Sequence, residues 1–190
     1  ELTPLIKEFQ AVDVANFAAN WIGVGEVSSE TLLSHGASGI ILRATGSELD
    51  ERVIRPYSGY TALPVKKCTR KIGDISARIE LLHDELLGSL QYVLAAIAIA
   101  HELTDQEILQ RTPKNLRLPN GEVFVNVEGA LGITGVALFS EGDRSPARLR
   151  LRTPSMVNIS ALEAALPGLK LDHLEMMLAS WPFLPGDLDR

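Results

Sequence analysis

The stretch DISARIELLHDELLGSLQYVLAAIAIAHEL, residues 74–103, decides how the rest of this chain must be arranged. Asp74 supplies an N-cap, and Ile75, Ile79, Leu82 and Leu86 recur at helical spacing, so the first turns predict an amphipathic helix. From Leu90 to Ala100 the polar face disappears and the helix becomes apolar all round. Such a segment has to be buried on every side. Its longest uninterrupted apolar run, Val93 to Ala100, is far short of the roughly 20 residues a membrane span requires. Enclosing it takes about four or five neighbours at the usual 8–10 Å helix separation. The remaining sequence offers three or four short helices and one small sheet, each with a polar face of its own. Residues 90–100 are therefore expected to pack against helices of another polypeptide, the rival arrangement being a compact monomer with an apolar mini-bundle.

Working outward, TPLIKEFQAVDVANFAANW reads as a short helix capped by Thr3, with Pro4 at its first position and Leu5, Phe9 and Val12 on one face. In GVGEVSSETLLSHGASGIILRATG, Ser28 or Ser29 caps a brief helix ending at Gly36. No strand–GxGxxG–helix order accompanies these glycines, so a dinucleotide loop is rejected. Residues 50–67 look irregular, punctuated by Pro56 and Pro64. Thr104 and Glu107 form a capping box for one more short helix. EVFVNV, ITGVALF and ARLRLR then alternate as strands of an antiparallel meander. In the last strand Ala147, Leu149 and Leu151 are expected to face inward and Arg148, Arg150 and Arg152 outward, onto solvent or an acidic partner. Two final helices flank Pro167-Gly168, the second burying Leu171, Leu174, Leu178 and Trp181. The class is α+β, with one domain over residues 1–190.

Chemistry is sparse. A net charge of −6 argues against nucleic acid as partner. The single cysteine, Cys68, excludes an internal disulfide and any all-cysteine metal site. His35, His83, His101 and His173 are scattered without ligand spacing, and neither a G-x-S-x-G elbow nor a Walker loop is present. Glu1 opens no signal peptide, and the non-Met start fits either removal of a leader or a sequence that begins late in its protein.

Several short patterns nevertheless occur in a characteristic order. Gly23, Gly25 and Ser28 are followed by SGIILRATGSELDER, with Ser38, Gly39, Arg43, Gly46, Asp50 and Arg52. PYSGY supplies Pro56, Tyr57 and Tyr60, and GDISAR supplies Gly73, Asp74 and Arg78. VEGALGITG keeps Glu128, Gly132 and Gly135, RLRTPSM keeps Arg150, Arg152, Pro154 and Ser155, and the chain closes on Gly186, Asp187, Leu188, Asp189 and Arg190. Together they resemble the C-terminal half of the D-type subunit family of proton-pumping NADH–quinone oxidoreductase, respiratory complex I, itself related to the large subunit of nickel–iron hydrogenases. The family's Pro after Ser-Gly is Ile40 here, its P-K-G-E is Ala130, Leu131, Gly132 and Ile133, its second arginine after G-D-x-x-x-R is Leu82, and the acid of its closing helix is His173. These departures imply relaxed constraint in the β region.

The resemblance implies a core piece of complex I in the membrane-extrinsic arm. It makes Leu184, Gly186, Asp187, Asp189 and Arg190 walls of the quinone-reduction pocket, with the closing LPGDLDR tucked in and its acids and arginine paired with one another or with the partner. Arg43, Asp50, Asp74 and Arg78 are assigned to structural ion pairs. No cofactor is expected on this chain; ubiquinone and a [4Fe-4S] cluster of a neighbouring subunit would lie nearby. The expected partners are the family's N-terminal half as a separate chain, which carries the quinone-holding histidine and tyrosine, and other complex I subunits. Contact with the membrane would be through the complex only. The implied location is the mitochondrial inner membrane, matrix side, with the cytoplasmic face of a bacterial membrane as the alternative. A non-catalytic scaffold remnant is the rival function. A hydrogenase-type catalyst fails because one cysteine cannot provide two nickel-ligating pairs.

Overall fold

In a computed structural model, which describes residues 2–103, 113 and 115–189, short helices build a platform at the root of one long helix. They are α1 (Leu2–Gln10), α2 (Val14–Ala19), α3 (Ser29–Ser34), α4 (Ile40–Arg43) and α5 (Glu51–Ile54), followed by a 3-10 turn at Ser58–Ala62. The long helix is α6, Ile75–Glu102. Its 28 residues span about 42 Å. Asp74 caps it, accepting the Ala77 N–H at 2.7 Å and, across the chain, the Gly23 N–H at 2.8 Å. Ser28 caps α3 through the Thr31 N–H, and Gly36 follows with φ 70°. α1 starts at Leu2, so Pro4 falls inside the first turn, where its missing N–H removes no helical bond. The capping box of Thr104 and Glu107 lies outside the described residues.

The sheet is a three-stranded antiparallel meander of β1 (Gly121–Gly129), β2 (Gly132–Ser140) and β3 (Arg148–Arg152), in that order. Gly129 pairs with Gly132 across the two-residue turn. That turn packs backbone to backbone on the Ser38-Gly39 loop: a Cβ on Gly39, at φ 74°, would come within 2.6 Å of Gly132 Cα. Ser38 Oγ takes the Ile133 N–H at 2.9 Å, and Asn158 Nδ2 donates to Leu131 O at 3.0 Å, so hairpin, loop and the next helix are stitched together. That helix is α7 (Pro154–Ala165); after a 3-10 turn at Leu171–His173 comes α8 (Leu174–Ala179), and a last 3-10 turn covers Pro185–Asp187. The main core joins Val27, Leu32, Ile41, Leu42, Ile75 and Trp181 with Ala161, Leu162 and Met177, and Ile40, Ala44, Ala77 and Leu81 form a smaller cluster beside it.

Four expectations change. Along β3 the leucines are not covered: Ala147, Leu149 and Leu151 are exposed, whereas Arg152 is half-buried and donates to the carbonyls of Ile133 and Gly36. Alternation separates two faces but does not say which one another layer covers. In the last helical segment Leu171 is 81% exposed and Leu178 is also exposed, while Met177 joins Trp181 in the core, because a 3-10 turn rather than α-helix precedes Leu174 and shifts the buried stripe. Residues 50–67 are not wholly irregular, since Asp50 caps α5 and Glu51 is buried. In the N-terminal segment Leu5, Phe9 and Val12 stay exposed although α1 lies beside α6.

The second half of α6 fits the anticipated shortage of cover. Ile75 to Arg78 and Leu81 are buried, but Val93, Leu94 and Ile97 are 45%, 40% and 45% exposed, with Ala96, Ala98 and Ala100 also exposed. Replacing Trp181 with Ala is expected to cost about 3–5 kcal/mol in a denaturant melt of the isolated chain. Ile97→Glu should change the same melt by no more than about 0.5 kcal/mol, because that position has no core to disrupt.

Candidate functional site

Polar side chains enter the interior at three places. The first is a cage at the junction of α4, α5, α6 and β1. Arg43, only 1% exposed, reaches Glu85 through Nη2 at 2.6 Å and through Nε at 2.8 Å, and Glu128 through Nη1 at 2.6 Å. The Nη2 approach is a charge contact without hydrogen-bonding alignment. Arg52 forms a fork on Asp50 at 2.7 and 2.9 Å and extends to Glu85 at 3.5 Å. Tyr57 closes the cage on the β1 side, its hydroxyl donating to Glu128 O at 2.9 Å and accepting the Glu128 N–H at 3.0 Å. Three carboxylates thus face two guanidiniums. Burial pushes the Glu128 carboxyl above its usual range despite Arg43. Burial would also raise Asp50, but its hydrogen bonds and charge contact with Arg52 outweigh that and hold it below the usual range. Burial opposes the charge on Arg43, yet Glu85 and Glu128 prevail and raise it. A cleft of about 400 Å³ opens onto this cage between Tyr60, Leu82, Leu86, Ser89 and Ala130.

The second place is the root of α6. Arg78 is buried without an ion pair among the described residues, so its assignment to one is corrected. Its donors go to Gly73 O at 2.7 Å, Gly25 O at 3.2 Å, Ser180 Oγ at 3.1 Å and Met177 Sδ at 3.1 Å, and the guanidinium lies 5.1 Å from the Trp181 ring centre. Burial lowers it to about 10, partly offset by Asp74, so it stays charged at neutral pH. Asp74 serves as a double N–H acceptor rather than as a salt-bridge partner.

The third place is the chain end. Ser155, in the first turn of α7, donates to Asp187 Oδ2 at 2.9 Å and accepts the Leu184 N–H at 3.0 Å, while Thr153 Oγ1 donates to Asp187 O at 2.9 Å. The turn is therefore pinned to α7, with Asp187 half-buried and Trp181 locked upstream by its Nε1 bond to Asn158 O at 2.8 Å. Among the described residues Asp187 meets hydroxyls and no cation, and Leu184, Pro185, Gly186 and Asp189 are exposed. Arg190 lies outside the described residues. The structure brings Arg43 and Asp50 into one cage, Asp74 and Arg78 to one helix end, and Leu184, Gly186 and Asp187 onto one turn.

Glu85 does not stand out in the sequence, because an acid on an amphipathic helix looks like a solvated one. Glu128 and Ser155 do stand out, as parts of the ordered patterns. Cys68 is half-buried, its thiol pushed up by burial and by Glu85 and Asp84, the opposite of an activated nucleophile. Among the described residues no cluster of His, Cys, Asp or Glu is arranged for a metal ion, and no helix is long and apolar enough to cross a membrane.

This arrangement superposes, with a TM-score of 0.84 and 27% identity, on a chain in the structure of the membrane-bound sulfane sulfur reductase, an archaeal respiratory membrane complex; the match covers all of this chain and 53% of that one. The class so defined is a subunit fold of respiratory membrane complexes. The family model for the respiratory-chain NADH dehydrogenase 49 kDa subunit matches residues 6–114 and 99–190, and the chain belongs to that family. A D-type subunit of the NADH-quinone oxidoreductase of Salinispora tropica is 39% identical over 174 residues, 92% of this chain and 45% of that protein. Its counterpart in Clostridium beijerinckii is 31% identical over 185 residues, 96% of this chain and 49% of its own length. The chain thus spans about half the length of the relatives it matches. These relatives are bacterial and archaeal, and they lend no support to the expected mitochondrial location.

The two cage carboxylates give opposite pH dependences. Glu128 titrates higher in the fold than in the unfolded chain, so the native state binds more protons between those two values. Wild type should therefore lose stability relative to Glu128→Gln as pH rises through that window. Asp50 titrates lower in the fold, and its contribution is present above its unfolded value and lost as pH falls through its folded one. Asp50→Asn should accordingly be the less stable protein at neutral pH, with the gap closing on acidification. Denaturant melts of wild type and both variants at a series of pH values read out both slopes.

Proposed function

We propose that this chain is a piece of the core subunit that shapes the quinone-reduction pocket of a proton-pumping NADH–quinone oxidoreductase. It sits in the membrane-extrinsic arm, and its location is the cytoplasmic face of a prokaryotic membrane. Leu184, Gly186, Asp187, Asp189 and Arg190 form part of the pocket wall. A separate polypeptide corresponding to the rest of the 49 kDa-type subunit supplies the other walls and sheathes residues 90–100. The quinone and the [4Fe-4S] cluster that reduces it are held by neighbouring subunits, and this chain binds neither alone.

One observation carries this reading. The closing turn is fixed from beneath by Ser155 and Thr153, yet Leu184, Pro185 and Gly186 are left exposed by the described residues. A rigid backbone presenting uncovered apolar surface and one anchored carboxylate suits a cavity wall completed by other chains. The choice of quinone rests on the NADH-quinone oxidoreductase relatives, since the structural match is named for sulfane sulfur reduction. A scaffold role is the second reading, favoured by the stitching of Arg43, Asp50, Asp74 and Arg78 into the interior, where they reach no open surface.

Replacing Asp187 with Ala in the assembled complex discriminates the two. With the pocket wall as proposed, native gels show normal assembly while quinone reductase activity drops about tenfold, the kinetic equivalent of about 1.4 kcal/mol. Sensitivity to quinone-site inhibitors shifts with it. Normal assembly with unchanged activity and inhibitor response gives the role to the scaffold.

A further inference from the structure

β3 is the last strand of the meander, hydrogen-bonded to β2 alone from Gly135 to Phe139, and no described residue bonds the backbone of its outer side. Free edges are usually blunted by charge, proline or a bulge. Arginines on β3 could serve that purpose, but the opposite face argues for a partner. Leu149 and Leu151, 54% and 47% exposed, stand opposite Leu138 and Val136, which stand opposite Val123 and Val125. A bare apolar face therefore runs across all three strands up to the open edge, as at a site that awaits a neighbour. On the other face Arg148 and Arg150 are exposed, and neither has a carboxylate partner among the described residues although the chain carries a surplus of acids. Arg152 is different: bound to the carbonyls of Ile133 and Gly36, it anchors the strand's end and leaves the two exposed guanidiniums as the recognition pair.

We infer that the outer edge of β3 receives an extended segment of a partner polypeptide, added as a fourth strand, in which acidic and apolar residues alternate. Residues two apart on a strand share a face and lie about 6.8 Å apart. Carboxylates at that spacing meet Arg148 and Arg150, while the intervening apolar residues continue the face of Leu149 and Leu151. Main-chain pairing supplies affinity and the alternating side chains supply specificity. The partner's negative charge is what the arginine pair selects.

The test mixes the 190-residue chain with a fluorescein-labelled eight-residue peptide of alternating valine and glutamate. Its controls are a valine–lysine peptide and a valine–glutamate peptide N-methylated at every second residue. The expected result is binding of the acidic peptide at least about tenfold tighter than either control, with slowed amide exchange at residues 148–152. In Arg148→Glu/Arg150→Glu the preference inverts toward lysine, and in Arg148→Gln/Arg150→Gln it vanishes while the melting temperature holds. Absence of binding overturns the proposal and leaves the arginines as edge protection. Binding without protection of β3, or equal binding of the N-methylated peptide, overturns it too, assigning the acid to the cleft of about 470 Å³ between Arg150, Phe124 and Met156 instead.

Discussion

Everything near the root of the long helix depends on a guanidinium buried without a carboxylate partner among the described residues. Taking a charge out of water is costly unless each of its donors finds a partner. Arg78 meets that condition with two carbonyls, a hydroxyl, a thioether and the face of an indole. Those partners come from the Gly25 loop, from Gly73 and from α8 and the two residues after it, segments separated by up to about 155 residues of chain. Any movement of one segment strips an acceptor from a buried cation. The arginine therefore acts as a geometric constraint on three segments at once. A Cβ on Gly25 would come within 2.9 Å of Met177 Sδ and 3.4 Å of Arg78 Nη2, which shows how little slack the arrangement has.

The cage around Arg43 solves the same desolvation problem by the opposite means. Here the guanidiniums meet carboxylates, and the acids outnumber them by one. Burial raises the proton affinity of Glu128 against the pull of Arg43, and the nearby Asp50 charge adds to that rise. Arg78 and the cage differ in consequence. The first contributes rigidity that is insensitive to pH around neutrality, while the second couples the Arg43 bridge between β1 and α6 to protonation.

Much of this fold was legible in the residues because local rules and tertiary demand agreed. Asp74 caps its helix and Ser28 caps α3 as their side-chain chemistry dictates, and the alternation of three short runs marks the meander. What could not be read was which face another layer would occupy. Leu149 and Arg150 are equally consistent with either assignment until the position of α7 is known, and Leu171 belongs to an apolar stripe only if the helix extends back to it. The cage was half-visible for a similar reason. Arg43, Asp50, Arg52 and Glu128 fall within the ordered patterns, but Glu85 looks like any acid on a helix until α4 and β1 close over it. At the chain end, the pinning of Asp187 by Ser155 required two segments 32 residues apart to meet.

The distribution of burial along α6 then bears on how such a chain assembles. Its first two turns are locked by Asp74, Arg78 and the core, so the direction of the helix is set before any neighbour arrives. Its distal turns leave Val93, Leu94 and Ile97 45%, 40% and 45% exposed, so covering each would add roughly 0.6–1.4 kcal/mol. A helix already formed and aimed loses little backbone entropy on docking, so most of that apolar gain remains available as affinity. A partner that had to fold this helix while binding it would forfeit much of the same gain to the ordering of the backbone. The buried polar root and the bare apolar tip are in this sense one device: the first makes the second an efficient surface for the polypeptide proposed to cover it.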